Sequence, residues 1–222
     1  MGLSHSPSIT TDGLVLCLDA ANPRSYPGSG STWYDLSGNG YIDTFGSSPP
    51  TYSSDNGGVL IFDGSSNRTT IGSLGLNGLT ELTVNIWFIS SLFSSGLVRS
   101  LDGVNSFILH WRGAGFYLVK NTGVASGYLG WQTPPPYNQW LMLTATWDGA
   151  TMKLYQNAVK QNNELSFTGT LRDINLIELG YYFNSSQPYT GGRMSNFSFY
   201  NRALSANEVQ RNYLATKSRF GL

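Results

Sequence analysis

The sequence predicts an all-β fold, a sandwich of two antiparallel sheets followed by one short helix at the C-terminus. Short apolar runs recur along the chain and are separated by turn residues, which is typical of a sandwich. Charged residues make up only 12% of the 222 residues, and 26 glycines interrupt any long helical pattern. A chain of this length fits one large β domain.

The chain divides into a short polar segment and one domain. Residues 1–12 are mostly small and polar, and we expect them to form a flexible arm that docks on a partner. Residues 13–222 then form a single domain. The first residues lack the basic and apolar regions of a secretory signal, and no apolar run approaches the roughly 20 residues that span a bilayer. We therefore expect synthesis in a cytoplasm and no membrane partner.

The domain begins with a buried strand at 14–19 and continues in a long loop at 20–34. Loops of that length without secondary structure are uncommon, so this one is either functional or packed over an open end of the core. Along 82–88 the apolar residues alternate, with Thr83 and Asn85 on the opposite face. Further strands are expected at 59–63, 80–89, 97–101, 105–111, 115–120, 128–131, 140–147, 151–157, 174–180 and 193–200.

Asp148 and Gly149 separate two of these strands, 140–147 and 151–157. This dipeptide tolerates the positive φ angles of a type I′ turn, whose twist matches that of paired strands. We therefore expect a hairpin closed by a type I′ turn at these two residues.

The C-terminal segment carries the signals of a helix N-terminus. Ser205 and Glu208 have the spacing of a capping box, and Leu204 and Val209 have the spacing of a hydrophobic staple. We expect a helix over 206–215 that packs on the sandwich through Val209.

Composition and motifs argue against several functions. The formal net charge is zero, so no global field favours a nucleic-acid partner. Only two histidines are present, His110 falls in a predicted strand, and no G-x-S-x-G motif supports a serine hydrolase. A glycoside hydrolase needs two carboxylates facing each other across the sugar, whereas the glutamates are isolated from one another. We expect no catalytic residues and no enzyme activity, and keep a glycoside hydrolase of the same fold as the remote alternative.

Two loops carry oxygen-bearing side chains with a spacing that suits calcium. Asp35 and Asn39 resemble the first half of an EF-hand loop, but Gly46 stands where the bidentate glutamate is needed. Asp63 begins a similar polar loop. We expect these side chains to form Asx-type turns, and keep one Ca²⁺ held by Asp35, Asn39 and Asp63 as the alternative.

Aromatic residues make up 14% of the chain, and those in predicted loops differ from those in predicted strands. The strand aromatics are expected in the core, where each buries a large area. The loop aromatics are suited to stack on a sugar or on a protein, since interfaces favour tyrosine and tryptophan. The candidate contact residues are Tyr26, Trp33, Tyr34, Trp131, Tyr137, Tyr182 and Tyr189.

Several segments together resemble the laminin-G-like, concanavalin A-like lectin/glucanase family. They are GGVLIFDGS at 57–65, LTVNIW at 82–87, WLMLTATWDG at 140–149, KLYQN at 153–157 and FYNRALS at 199–205. The resemblance implies a jelly-roll sandwich over most of 13–215. Members of the family generally bind glycans or proteins and often hold calcium. Where relatives have Asn-Gly in a hairpin, this chain has Asn157 followed by Ala158.

Residues 13–28, 33–40 and 212–217 are similar to stand-alone members of that family among the virion proteins of tailed phages, which decorate capsids or associate with fibres. This resemblance implies a non-enzymatic virion structural protein, made in the host cytoplasm and held on a capsid or fibre protein. The alternative is a lectin-like adhesin for a host or environmental glycan. Because decoration proteins cluster at symmetric points, we expect a trimer, with a monomer as the alternative.

Overall fold

A computed structural model of the protein describes residues 8–90, 96–102, 104–111, 115–119, 126–181 and 189–222, and these residues form two antiparallel sheets. The first sheet comprises β1 (Leu14–Asp19), β4 (Thr51–Ser53), β5 (Val59–Asp63), β7 (Leu82–Ser90), β12 (Leu141–Trp147), β13 (Thr151–Gln156), β14 (Val159–Lys160), β15 (Leu165–Ser166) and β17 (Gly191–Tyr200). The second comprises β2 (Thr32–Tyr34), β3 (Ile42–Phe45), β6 (Thr69–Ile71), β8 (Gly96–Asp102), β9 (Val104–His110), β10 (Phe116–Val119), β11 (Ser126–Leu129) and β16 (Leu176–Leu179). The prediction of a two-sheet sandwich is confirmed.

The first sheet runs in the order β14-β13-β12-β7-β17-β5-β4, with β1 also paired to β17 and β15 to β13. The second runs β11-β10-β9-β8-β16-β6-β3-β2. Each strand predicted from the sequence is present with its ends shifted by at most two residues, apart from residue 120, which lies outside the described residues. The strands that the sequence did not reveal have only two to four residues, too few for a clear alternation.

The main core lies between the two sheets. β7 supplies Leu82, Val84, Ile86 and Phe88 to it, as the alternation predicts. Thr83, on the opposite face of the same strand, is also fully buried. β7 is therefore covered on both faces, the outer one by the C-terminal helix.

The C-terminal helix α1 (Ala206–Thr216) continues into a 3-10 helix (Lys217–Phe220). Its capping box is confirmed, because Ser205 Oγ accepts the Glu208 N–H and the Glu208 carboxylate accepts the Ser205 N–H. Val209 is fully buried in a second apolar cluster, where the rings of Trp87 and Phe220 stack at 4.1 Å. We call this second cluster the helix-side cluster. Within the described ranges no helix has the length and hydropathy needed to cross a membrane.

The hairpin between β12 and β13 is confirmed, but its predicted turn type is wrong. Gly149 has a φ of 82°, whereas Asp148 is not among the residues with positive φ. Instead, Asp148 Oδ1 accepts the N–H groups of Ala150 and Thr151 at 3.1 and 2.7 Å. The aspartate therefore stabilises this turn through its side chain.

Two successive residues with positive φ occur in the next hairpin, between β13 and β14. Asn157 has a φ of 49° and Ala158 a φ of 64°. This is the backbone of a type I′ turn, in which glycine is usual at the second position. The alanine therefore adopts a conformation that its Cβ disfavours.

The segment before β1 is not free, which corrects the predicted arm boundary at residue 12. Thr10 is 4% exposed, its N–H donates to Asn212 Oδ1 at 2.8 Å, and its carbonyl accepts the Tyr200 hydroxyl at 3.0 Å. The carbonyl of Asp12 accepts Arg202 Nε at 3.1 Å. Buried backbone groups need such partners, so residues 10–12 belong to the domain. Residues 1–7 of the predicted arm lie outside the described residues.

Candidate functional site

The outer face of the second sheet carries a row of side chains that crosses all eight strands. Residues in register on neighbouring strands share a face, and their immediate neighbours along each strand point into the main core. The row consists of Thr32, Thr44, Thr70, Glu178, Arg99, Ile108, Tyr117 and Tyr128. The α-helix lies on the other sheet and part of this row is exposed, so the row is the candidate surface for a ligand.

Near the centre of this row, one carboxylate is shared by two arginines. Arg99 contacts the Glu178 carboxylate through Nε and Nη2, and both side chains are less than a tenth exposed. Arg68 Nη1 lies 3.3 Å from Glu178 Oε1, and the Arg68 side chain is 47% exposed. Two positive charges and one negative charge leave this group with a net charge of +1.

Two tyrosines adjoin these charges. The guanidinium carbons of Arg99 and Arg68 lie 4.5 and 5.1 Å from the centre of the Tyr181 ring, within the range of a cation–π contact. The rings of Tyr181 and Tyr189 are 5.0 Å apart and tilted by 57°. Both tyrosines are half-buried. We call Arg68, Arg99, Glu178, Tyr181 and Tyr189 the arginine–tyrosine cluster.

A glycine turns the chain at the end of β16 and so places Tyr181. Gly180 has a φ of 80°, and a Cβ at this position would lie 2.4 Å from the Phe62 ring, so a side chain does not fit. Its N–H donates to the Leu97 carbonyl at 3.0 Å, and its carbonyl accepts the Thr190 N–H at 2.9 Å. The turn is thus held between the starts of β8 and β17.

The loop that carries Arg68 is held by Asp63. Asp63 Oδ1 accepts the N–H groups of Ser65, Ser66 and Asn67 at 2.8 to 3.1 Å. Burial raises the pKa of Asp63, but these hydrogen bonds outweigh it and hold the pKa well below its usual range. The predicted Asx-type turn is confirmed, and it places Arg68 directly before β6.

Asp35 and Asn39 also make the predicted turn hydrogen bonds. Asp35 Oδ1 accepts the N–H groups of Cys17 and Ser37, each at 2.8 Å, and Asn39 Nδ2 donates to the Val15 carbonyl at 2.8 Å. Across the described residues, no three His, Cys, Asp or Glu side chains come together as metal ligands. The carboxylate oxygens of Asp35 and Asp63 accept protein N–H groups, as the predicted Asx-type turns require.

Three of the seven predicted aromatic contact residues are buried, which corrects the expectation that these three stand on the surface. Tyr26, Trp33 and Trp131 are buried in the main core, and Tyr137 is half-buried against it. The physical reason is that the predicted 20–34 loop contains β2, whose alternation turns Trp33 inward and leaves Tyr34 45% exposed. The loop is packed over the core rather than open.

The remaining two predicted residues lie near the connection between β16 and β17. Tyr189 belongs to the arginine–tyrosine cluster, and Tyr182 lies outside the described residues. In the described part of the chain, no two of the predicted contact rings stack on each other.

Arg68, Arg99 and Glu178 were missed in the sequence. Arg99 stands between Val98 and Ser100 on β8, and Glu178 stands between Ile177 and Leu179 on β16. A charged residue between inward-facing neighbours must face away from the core. Two charged residues of this kind predict an ion pair on the outer face only if their strands are known to be adjacent. The two strands are far apart in the chain, and their pairing in the sheet cannot be predicted from the sequence.

The structure is a two-sheet jelly roll in which the outer face of one sheet is partly uncovered. The comparison with known protein families agrees with this fold. Residues 63–210 match the family model of the concanavalin A-like lectin/glucanases superfamily, and the chain belongs to this superfamily. A search of curated protein sequences finds no match.

Solved structures share the fold at low sequence identity. The chain is similar to the binding domain of botulinum neurotoxin serotype G, with a TM-score of 0.70 and 15% identity over 90% of this chain and 50% of that one. It is similar to the binding domain of Paraclostridial Mosquitocidal Protein 1, with a TM-score of 0.70 and 16% identity over 91% and 52% of the two chains. A third is the serotype D ligand binding domain in complex with N-acetylneuraminic acid, with a TM-score of 0.65 and 15% identity over 91% and 51%. This chain therefore spans about half the length of those structures.

Proposed function

We propose that this protein is a non-catalytic binding protein whose ligand contacts the arginine–tyrosine cluster on the outer face of the second sheet. One observation carries the proposal: a buried ion pair, Arg99 with Glu178, holds the exposed Arg68 and the half-buried Tyr181 in place. Arginine and tyrosine dominate binding hot spots, and side chains already held in place lose little entropy on binding.

The partners of the glutamates support binding rather than catalysis. Glu178 is held by two arginines, Glu208 caps α1, Glu164 pairs with Lys160 and Glu81 accepts the Ala203 N–H. Each carboxylate thus has a structural role, whereas a glycoside hydrolase needs two that act on the sugar. The similar structures are named as binding domains, and one of them holds N-acetylneuraminic acid, which favours a glycan ligand for this chain as well.

The setting we propose is the particle of a tailed phage, where the protein is held on a capsid or fibre protein and associates as a trimer. The support is the similarity of 13–28, 33–40 and 212–217 to stand-alone virion proteins. Cryo-EM and mass spectrometry of purified particles test this setting. Many copies at symmetric positions on the shell support decoration, few copies at a tail tip support an adhesin, and absence from the particle refutes the virion role.

A glycan array with purified protein tests the binding function. We expect the wild-type protein to bind a subset of glycans and Tyr181→Ala to lose that binding. Tyr128→Ala is the matched control, because Tyr128 is 52% exposed on the far edge of the same face. Equal binding by wild type and Tyr181→Ala would mean that the binding site does not include Tyr181. An array on which no glycan binds would refute the glycan-binding function.

A further inference from the structure

We propose that the ligand of the arginine–tyrosine cluster is a sugar that carries a carboxylate, and that Arg68 binds this carboxylate. The inference rests on the proposed binding function and adds the chemical class of the ligand. Three features of the cluster support this ligand class: its positive charge, the free N–H donors of Arg68 and the tyrosine rings beside them.

The positive charge of the cluster resides on Arg68. Arg99 is buried and its Nε and Nη2 both contact the Glu178 carboxylate, so its charge is balanced locally. Arg68 makes one contact of 3.3 Å to the same carboxylate, and in the described part of the chain it pairs with no other acid. The residues that flank Glu178 and Arg99 in the row, Thr70 and Ile108, are uncharged. An anion placed beside Arg68 would therefore complete the charge balance.

Arg68 also retains hydrogen-bond donors in a fixed orientation. A guanidinium carries five N–H donors in a planar fork that matches the two oxygens of a carboxylate. Among the described residues, only Nη1 of Arg68 has a protein partner, which leaves Nε and Nη2 to a ligand. The Tyr181 ring, 5.1 Å from the guanidinium carbon, limits the orientations of the fork.

The rings beside Arg68 favour a sugar over a free anion. Tyr181 and Tyr189 are both partly exposed, and their rings, 5.0 Å apart and tilted by 57°, offer aromatic surface that suits the apolar face of a pyranose. Thr70, a partly exposed residue beside Glu178, has a hydroxyl that can donate to and accept from sugar hydroxyls. A small inorganic anion would contact the arginine but neither tyrosine ring.

Isothermal titration calorimetry with a tetramer of galacturonate and its fully methyl-esterified form tests the proposal, because the two probes differ in charge but little in shape. We expect wild-type protein to bind the acid at least about tenfold more tightly than the ester. Arg68→Gln should bind the acid no more tightly than the ester. Arg24→Gln, which removes an exposed arginine in the 20–34 segment, should behave as wild type. Equal melting temperatures of the two variants show that both remain folded.

Three results would overturn the proposal. The carboxylate assignment fails if acid and ester bind equally, or if neither binds while the glycan array finds a neutral ligand that depends on Tyr181. The assignment to Arg68 fails if Arg68→Gln keeps the preference for the acid. The sugar assignment fails if tetraglutamate binds as tightly as the galacturonate tetramer, since the site would then recognise carboxylates without a sugar. In each case the glycan array still decides whether the cluster binds a ligand at all.

Discussion

The outer faces of the two sheets are built differently, although both sheets turn apolar side chains to the same core. On the first sheet, Trp87 of β7 is fully buried under the helix, stacked on Phe220 and donating its Nε1–H to Thr216 Oγ1 at 2.7 Å. On the second sheet, the central strands carry Arg99 and Glu178 in register. The first face is closed by the protein itself. The second face is also buried at Arg99 and Glu178, but there it holds an ion pair where apolar residues would serve stability as well, and we propose that the pair serves the binding function.

The largest effect is expected where the helix closes the first sheet. Val209→Asp places a carboxylate in the fully buried helix-side cluster and should lower the free energy of unfolding by about 4 kcal/mol or more. Gln210→Asp, at the exposed neighbouring position, should change it by less than about 0.5 kcal/mol. Urea denaturation of both variants measures the difference. Similar unfolding curves would mean that the helix does not close this face.

On the second sheet, breaking the ion pair should be costly but replacing it should not. Glu178→Ala leaves Arg99 buried without its partner and should lower the free energy of unfolding by about 3 kcal/mol. The double variant Arg99→Met/Glu178→Met should recover most of this loss in urea denaturation while losing glycan binding. If the double variant is as unstable as the single one, the pair is needed for folding, and the contrast between the faces no longer points to function.

The inner face of the second sheet holds a buried carboxylate, Asp43 on β3, among mostly apolar side chains. Neither carboxylate oxygen of Asp43 accepts a hydrogen bond of normal geometry. Burial raises the pKa of Asp43 to about 8, and the nearby Thr69 hydroxyl and the N–H groups of Thr70 and Thr44 lower this pKa only in part. The folded state therefore keeps a proton that the unfolded chain loses near pH 4. Stability from this group is fully present below about pH 4 and is lost as the pH rises to about 8.

Asp43→Asn removes this titration. At pH 8 it should raise the free energy of unfolding by at least about 1 kcal/mol and the melting temperature by about 2–4 °C, and the gain should shrink towards pH 4. The comparison must be between variant and wild type at each pH, because burial lowers the pKa of His110 to about 4 and gives an opposite slope. A constant difference from pH 4 to pH 8 would mean that Asp43 is not the titrating group.

The smallest effect is expected at the edge of the first sheet. Ala158 has a φ of 64°, so Ala158→Gly should raise the free energy of unfolding by about 0.5 kcal/mol by removing Cβ strain. Ala150→Gly in the neighbouring hairpin is the control, because Ala150 is not among the residues with positive φ and glycine there should be neutral or destabilising. Chemical denaturation compares the two. Destabilisation by both changes would argue against strain at Ala158.

Local signals in the sequence predicted local structure well. The capping box at Ser205 and Glu208 and the hairpin around Asp148 depend on residues a few positions apart, and both are present. Buried aromatics such as Trp33 were misplaced because a three-residue strand gives no clear alternation. Arg68 and Glu178, 110 positions apart in the chain, meet only because β6 and β16 pair. That pairing is a property of the fold, so the candidate site could not be assembled from the sequence.

An NMR titration of the wild-type protein with the tightest ligand from the glycan array shows directly whether the ligand contacts the arginine–tyrosine cluster. If the ligand binds the cluster, we expect amide shift changes at Arg68, Arg99, Glu178, Tyr181 and Tyr189, with the signals of α1 unchanged. Changes concentrated on α1 or on the first sheet, with the arginine–tyrosine cluster unaffected, would contradict the proposed site.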